Sequence, residues 1–184
     1  MKNNELELEL IGPEGRSLVM DFPGEEVNRE LAARSVAGVS VGGGLRVSFQ
    51  FTREGDEIGL KGKIGGVVVN TCVRCLDPAS SEVDWGFDMK VVRGGARRTL
   101  DSAGEVELGT SDLAVEYFDG RTLDLLALAV EELIVSLPDY PLCREDCKGL
   151  CPECGAELNL GPCSCADKKP VDPRLKALSS LKKR

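Results

Sequence analysis

A chain of 184 residues, 42% of them hydrophobic and 29% charged, is long enough for one domain with a sizeable core, or for a domain plus a small module. Its net charge of −8 argues against a globally basic nucleic-acid binder, and the lack of any histidine removes every mechanism that needs a histidine base. No run approaches the roughly 18–20 apolar residues that cross a membrane, and the first residues hold no apolar stretch of secretory length, so the expected location is the cytoplasm, with no membrane partner.

The first elements read as strands. Leu6, Leu8 and Leu10 alternate with glutamates, and Gly12-Pro13-Glu14-Gly15 reads as a turn. Leu18, Met20 and Phe22 mark a second short strand, and Asn28 to Ser35 a short helix. Gly42-Gly43-Gly44 reads as a break; it is not a phosphate loop, because no strand–glycine-loop–helix context surrounds it.

Stronger alternation follows. Leu45, Val47, Phe49 and Phe51 face one way, as do Ile58, Leu60, Gly62 and Ile64, with a hairpin-like link at Arg53–Asp56. Gly65-Gly66 reads as a bend before Val67–Thr71. Val83, Trp85, Phe87, Met89 and Val91 give the clearest strand of all. Residues 93–111 show no sustained period and read as a loop, and Leu113, Val115 and Tyr117 as a last strand.

The period then changes to that of a helix. Leu123, Leu126, Val130, Leu133, Ile134 and Leu137 share one face, with Thr122 as N-cap and Pro138 as terminator. The expected class is α+β: an antiparallel β-sheet or partly closed barrel with one packed amphipathic helix and a C-terminal Cys-rich zinc-binding segment. The expected organisation is a β domain over 1–137 with its helix at 122–137, a Cys-rich zinc module over 138–166, and a basic tail over 167–184. Residues 166–184 hold seven lysines and arginines against Asp167 and Asp172, a net +5 that leaves −13 for the rest.

The eight cysteines carry the chemistry. They fall into four pairs: Cys72/Cys75, Cys143/Cys147, Cys151/Cys154 and Cys163/Cys165. Cytosolic thiols stay reduced, so clustered ones point to metal rather than to disulfides. Cys151-Pro152-Glu153-Cys154-Gly155 is a zinc knuckle, with both thiolates on one side of a tight turn and a glycine where the backbone turns left-handed. The knuckle is more typical of zinc than of an iron–sulfur cluster, so the ion expected is Zn²⁺, held in this histidine-free chain by thiolates, one or two ions per chain.

Two groupings are open. Cys151/Cys154 with Cys163/Cys165 would leave Cys143/Cys147 to join Cys72/Cys75; alternatively Cys143, Cys147, Cys151 and Cys154 share one ion. Cys72/Cys75 can also stand as unligated thiols, and then a thiol- or metal-dependent enzyme acting on RNA or protein is the rival reading. Four thiolates per ion saturate the metal, which favours a structural role and no catalytic residue.

The motifs resemble a known family. Cys72-Val73-Arg74-Cys75-Leu76 follows a strand; Leu142 to Gly155 holds both middle cysteine pairs; then come Leu158-Asn159, Cys163-Ser164-Cys165, and Asp172-Pro173-Arg174 with Leu178. Together they are similar to the YceD-like family of large ribosomal RNA subunit accumulation proteins. That resemblance implies a non-enzymatic role in ribosome biogenesis, supporting accumulation of the large-subunit ribosomal RNA. It implies as partner a large-subunit ribosomal protein or a pre-ribosomal particle. The basic tail is expected to contact RNA, and Arg74 and Leu76 to present a binding surface in the first cysteine loop.

Overall fold

The computed structural model describes residues 4–55, 57–93, 115–118, 121–165 and Arg174. These residues form two compact units, one of residues 1–70 and 80–139 and one of residues 71–79 and 140–184. The tail expected at 167–184, the loop at 94–111 and Leu113 lie outside the described residues, Arg174 excepted.

In the first unit, strand β1 (Glu5–Glu7) is short. Leu8–Leu10 turns as a 3-10 helix, so the alternation Leu6-Leu8-Leu10 breaks after Leu8. The reason lies in the backbone: the Leu8 N–H donates to Arg121 O, and Ile11 folds back on Leu8 O. Ile11 then takes the buried position, and Leu10 stays 60% exposed.

Strand β2 (Arg16–Phe22) pairs antiparallel with β3 (Ser40–Glu54), which pairs antiparallel with β4 (Glu57–Thr71). Next come β5 (Pro78–Arg93) and β6 (Val115–Phe118), giving the order β2-β3-β4-β5-β6. Strand β6 lies parallel to β5, a pairing that side-chain alternation does not signal. Among the described residues the sheet is open, with β2 and β6 at its edges. A separate two-stranded sheet joins β1 to β7 (Thr122–Asp124).

The glycine triplet does not break the chain. β3 runs through it with a bulge between Val41 and Leu45. Gly44 takes φ +119 there, and a Cβ would stand 2.6 Å from Phe22 O, so only glycine fits. β4 likewise continues straight through Gly65-Gly66.

Among the described residues, two α-helices accompany the sheet. Helix α1 (Gly24–Ala33) starts just after Pro23, earlier than the expected Asn28, and buries Val27 and Leu31. The Asn28 amide fixes it to β3, accepting from Val41 N at 2.8 Å and donating to Val41 O at 3.1 Å. Helix α2 (Leu125–Ser136) buries Leu125, Leu126, Leu128, Ala129, Val130 and Leu133. That is a broader apolar face than an amphipathic surface helix needs, so α2 is a core element.

Thr122 lies in β7, and the N-cap is Asp124. Its carboxylate accepts from the N–H groups of Leu126 and Ala127, both at 3.0 Å. Asp124→Ala is expected to lower stability by about 1 kcal/mol, measured as a fall in the thermal midpoint at unchanged metal content.

Candidate metal centre

In the second unit, residues 71–79 hold the loop 72–77 between β4 and β5. Residues 149–158 form a tight hairpin, with Leu150 bridged to Glu157 and Leu158 N donating to Gly149 O at 2.9 Å. The knuckle sits at its tip. Cys151 N donates to Ala156 O at 2.8 Å, Gly155 N donates to Cys151 O at 2.8 Å, and Gly155 has φ +72.

The Cys72 loop repeats this turn. Leu76 N donates to Cys72 O at 3.0 Å, and Leu76 has φ +67. Leucine stands where the other turn has glycine, and a non-glycine residue there costs about 1–2 kcal/mol.

The eight thiols form two groups of four. Cys72, Cys75, Cys143 and Cys147 make one group; Cys151, Cys154, Cys163 and Cys165 make the other. Within each group the sulfurs lie within 4.8 Å of one another. Cys143/Cys147 and Cys151/Cys154, a quartet the spacing also allowed, fall into different groups.

Zinc fits this donor set. Four thiolates at about 2.3 Å from a tetrahedral ion stand about 3.8 Å from each other. Cys72 Sγ and Cys147 Sγ are 3.8 Å apart, and Cys75 Sγ and Cys143 Sγ are 3.5 Å apart. Those distances are far beyond a sulfur–sulfur bond, and all eight cysteines are free.

The surroundings prepare some thiols to ionise. Burial pushes the Cys72 thiol up, but N–H groups of Cys75, Cys143 and Arg74, with the Cys75 thiol, bring it down to about 6. At Cys151 the N–H groups of Cys154 and Glu153 bring the thiol to about 7. Cys75 and Cys165 are shifted the other way. At Cys75 the Asp77 N–H pulls down, but burial and the Cys143 and Cys72 thiols raise it well above the ordinary range. The Cys154 thiol, with burial and neighbouring charges, pushes Cys165 up to about 12.

The two groups differ in burial. Cys72, Cys75 and Cys147 are 0%, 5% and 2% exposed, whereas in the second group only Cys151 is buried and Cys154 is exposed. The first group also holds two residues whose roles the sequence did not signal. The Arg74 guanidinium donates to Cys147 O at 2.7 Å, so it braces the backbone of the site.

Asn159 lies between the cysteine pairs of the second group, yet its Nδ2 donates to Cys147 Sγ at 3.5 Å. Its Oδ1 accepts from Lys148 N at 2.8 Å. The Asn159 bond heads the causes that lower the Cys147 thiol. Asn159→Ala is expected to weaken zinc binding at the first group by about 10–100-fold, the usual effect of losing an outer hydrogen bond to a ligand. Competition with a chromophoric chelator measures it.

An α+β scaffold carrying two four-thiol groups defines a cysteine-rich protein with two sites fit for metal. Residues 60–182 match the model of the family described as Large ribosomal RNA subunit accumulation protein YceD, and the chain belongs to that family. All eight cysteines fall within the match.

The chain is 29% identical over 112 residues to an uncharacterized protein of Mycobacterium leprae (strain TN), covering 58% of this chain and 46% of that one. It is 32% identical over 101 residues to uncharacterized proteins of Mycobacterium bovis and Mycobacterium tuberculosis, covering 55% of this chain and 45% of each. The chain thus spans about half the length of the curated relatives it matches. No solved structure gives a significant match.

Among the described residues, no helix is long and apolar enough to cross a membrane.

Proposed function

We propose that this protein is a non-enzymatic assembly factor for the large ribosomal subunit, acting in the cytoplasm, with two structural zinc ions held by Cys72, Cys75, Cys143 and Cys147 and by Cys151, Cys154, Cys163 and Cys165. The observation that carries the structural role is the donor count. Each group supplies four thiols to one point, which fills a tetrahedral zinc and leaves no position for water or substrate. Burial of Cys72 and Cys75 further favours ligands over a reactive redox or catalytic pair.

Family membership supports the ribosomal assignment. The charge pattern supports the mode of action. A body of −13 suits a basic ribosomal protein or the protein face of a precursor particle, and a tail of +5 suits RNA phosphates. Binding is therefore expected to weaken steeply as salt rises.

Deleting the gene in its own organism tests the proposal. The ratio of large- to small-subunit ribosomal RNA is expected to fall, and to recover with the native chain. An unchanged ratio and unchanged precursor profile would remove the proposal.

A further inference from the structure

The two Cys-x-x-Cys turns provide an internal comparison. They share the same hydrogen bond and the same left-handed residue, yet one carries Gly155 and the other Leu76. Leu76 is 65% exposed, so burial in its own chain does not offset the strained backbone. Val73, in the same turn, is 51% exposed. Tyr140 and Leu160 are also exposed, but neither has a positive φ. Among the described residues, only at Leu76 does an outward apolar side chain coincide with a backbone that glycine would adopt freely.

We propose that Leu76, with Val73 beside it, is an apolar anchor that docks into a hydrophobic socket on a protein component of large-subunit precursor particles; this rests on the assembly-factor reading above. The chemistry of the loop favours protein over RNA. Its one cation, Arg74, is engaged with Cys147 O, and Asp77 follows Leu76 directly. With Arg74 and Asp77 as their only charged side chains, residues 71–79 carry no net positive charge to attract phosphate, and they contain no aromatic ring on which a base would stack. A small apolar anchor amid weak polar contacts is the usual form of an interface hot spot.

Pelleting with precursor particles purified from the same organism tests this, using the native chain, Leu76→Gly and Leu76→Asn. Asparagine tolerates the left-handed backbone while removing the apolar surface. Both variants are expected to keep the native zinc content, to melt no lower than the native chain, and to bind about tenfold more weakly or worse. Native-like binding by both variants would overturn the anchor alone. So would loss of zinc or a lower melting point in both, which would assign Leu76 to the metal site. Equal competition by protein-free large-subunit RNA would overturn the choice of a protein socket. Failure of the native chain to pellet would remove the assembly-factor reading and the anchor with it.

Discussion

Serine in place of Cys147 is expected to leave one zinc ion per chain, against the two proposed for the native protein. Cys147 is 2% exposed, its sulfur lies 3.8 Å from Cys72 Sγ, and both Arg74 and Asn159 converge on it. A serine hydroxyl does not ionise near neutral pH, so three ligands remain where four are needed. The Cys151 group shares no ligand with this site and keeps its ion. The apolar core of the first unit contains no cysteine, so its unfolding transition is expected to survive. Elemental analysis beside thermal unfolding reads both effects; loss of both ions, or of neither, would contradict the assignment of ligands. The pH dependence has a definite sign. Cys75 and Cys143 are held above the ordinary thiol range and keep their protons through neutral pH, so zinc must displace those protons to bind. Affinity at this site therefore rises with pH and falls as the solution is acidified.

Leu133→Ala is expected to cost about 2–5 kcal/mol of stability, the range for emptying a fully enclosed leucine site. Leu133 is 0% exposed, and its neighbours on α2, Ala129 and Val130, are equally enclosed. Trp85, the only tryptophan, donates from Nε1 to Glu132 Oε2 at 3.2 Å, so its fluorescence reports on the docking of α2. Urea unfolding followed at this residue gives the stability change, with Val135→Ala as control. Val135 is 66% exposed, and its truncation is expected to stay within about 0.5 kcal/mol. Zinc content is expected to be unchanged in both variants. A small effect at Leu133, or a large one at Val135, would mean that α2 does not face the core as described.

The strands were legible where side chains alternate over a half-buried surface. Leu45 to Thr52 and Val83 to Val91 both lie in strands. Three features were not legible, each for a local reason. The start of helix α1, read from Asn28, lies at Gly24: the helix buries only Val27, Leu31 and Gly24, and no side chain caps its start. Thr122 and Asp124 are both plausible caps by residue type, and the choice depends on pairing of β7 with β1, some 115 residues earlier in sequence. The parallel direction of β6 leaves no mark on its own four residues. At the metal centre, the four pairs were visible from spacing, but their grouping was not. Cys72 and Cys147 meet across 75 residues of chain, a distance that only the fold closes. Asn159 was hidden for a similar reason, since its bond reaches a sulfur outside its own cysteine group.

The most direct test of the central claim is the zinc content of the full chain, purified without a metal-binding tag, together with thiol titration before and after chelation. Two zinc ions per chain, with all eight thiols protected until the metal is removed, is the result this account requires. Metal-free protein with freely titrating thiols would contradict it, and one ion with Cys72 and Cys75 open to alkylation would confine metal to the Cys151 group and return the first four thiols to a chemical role.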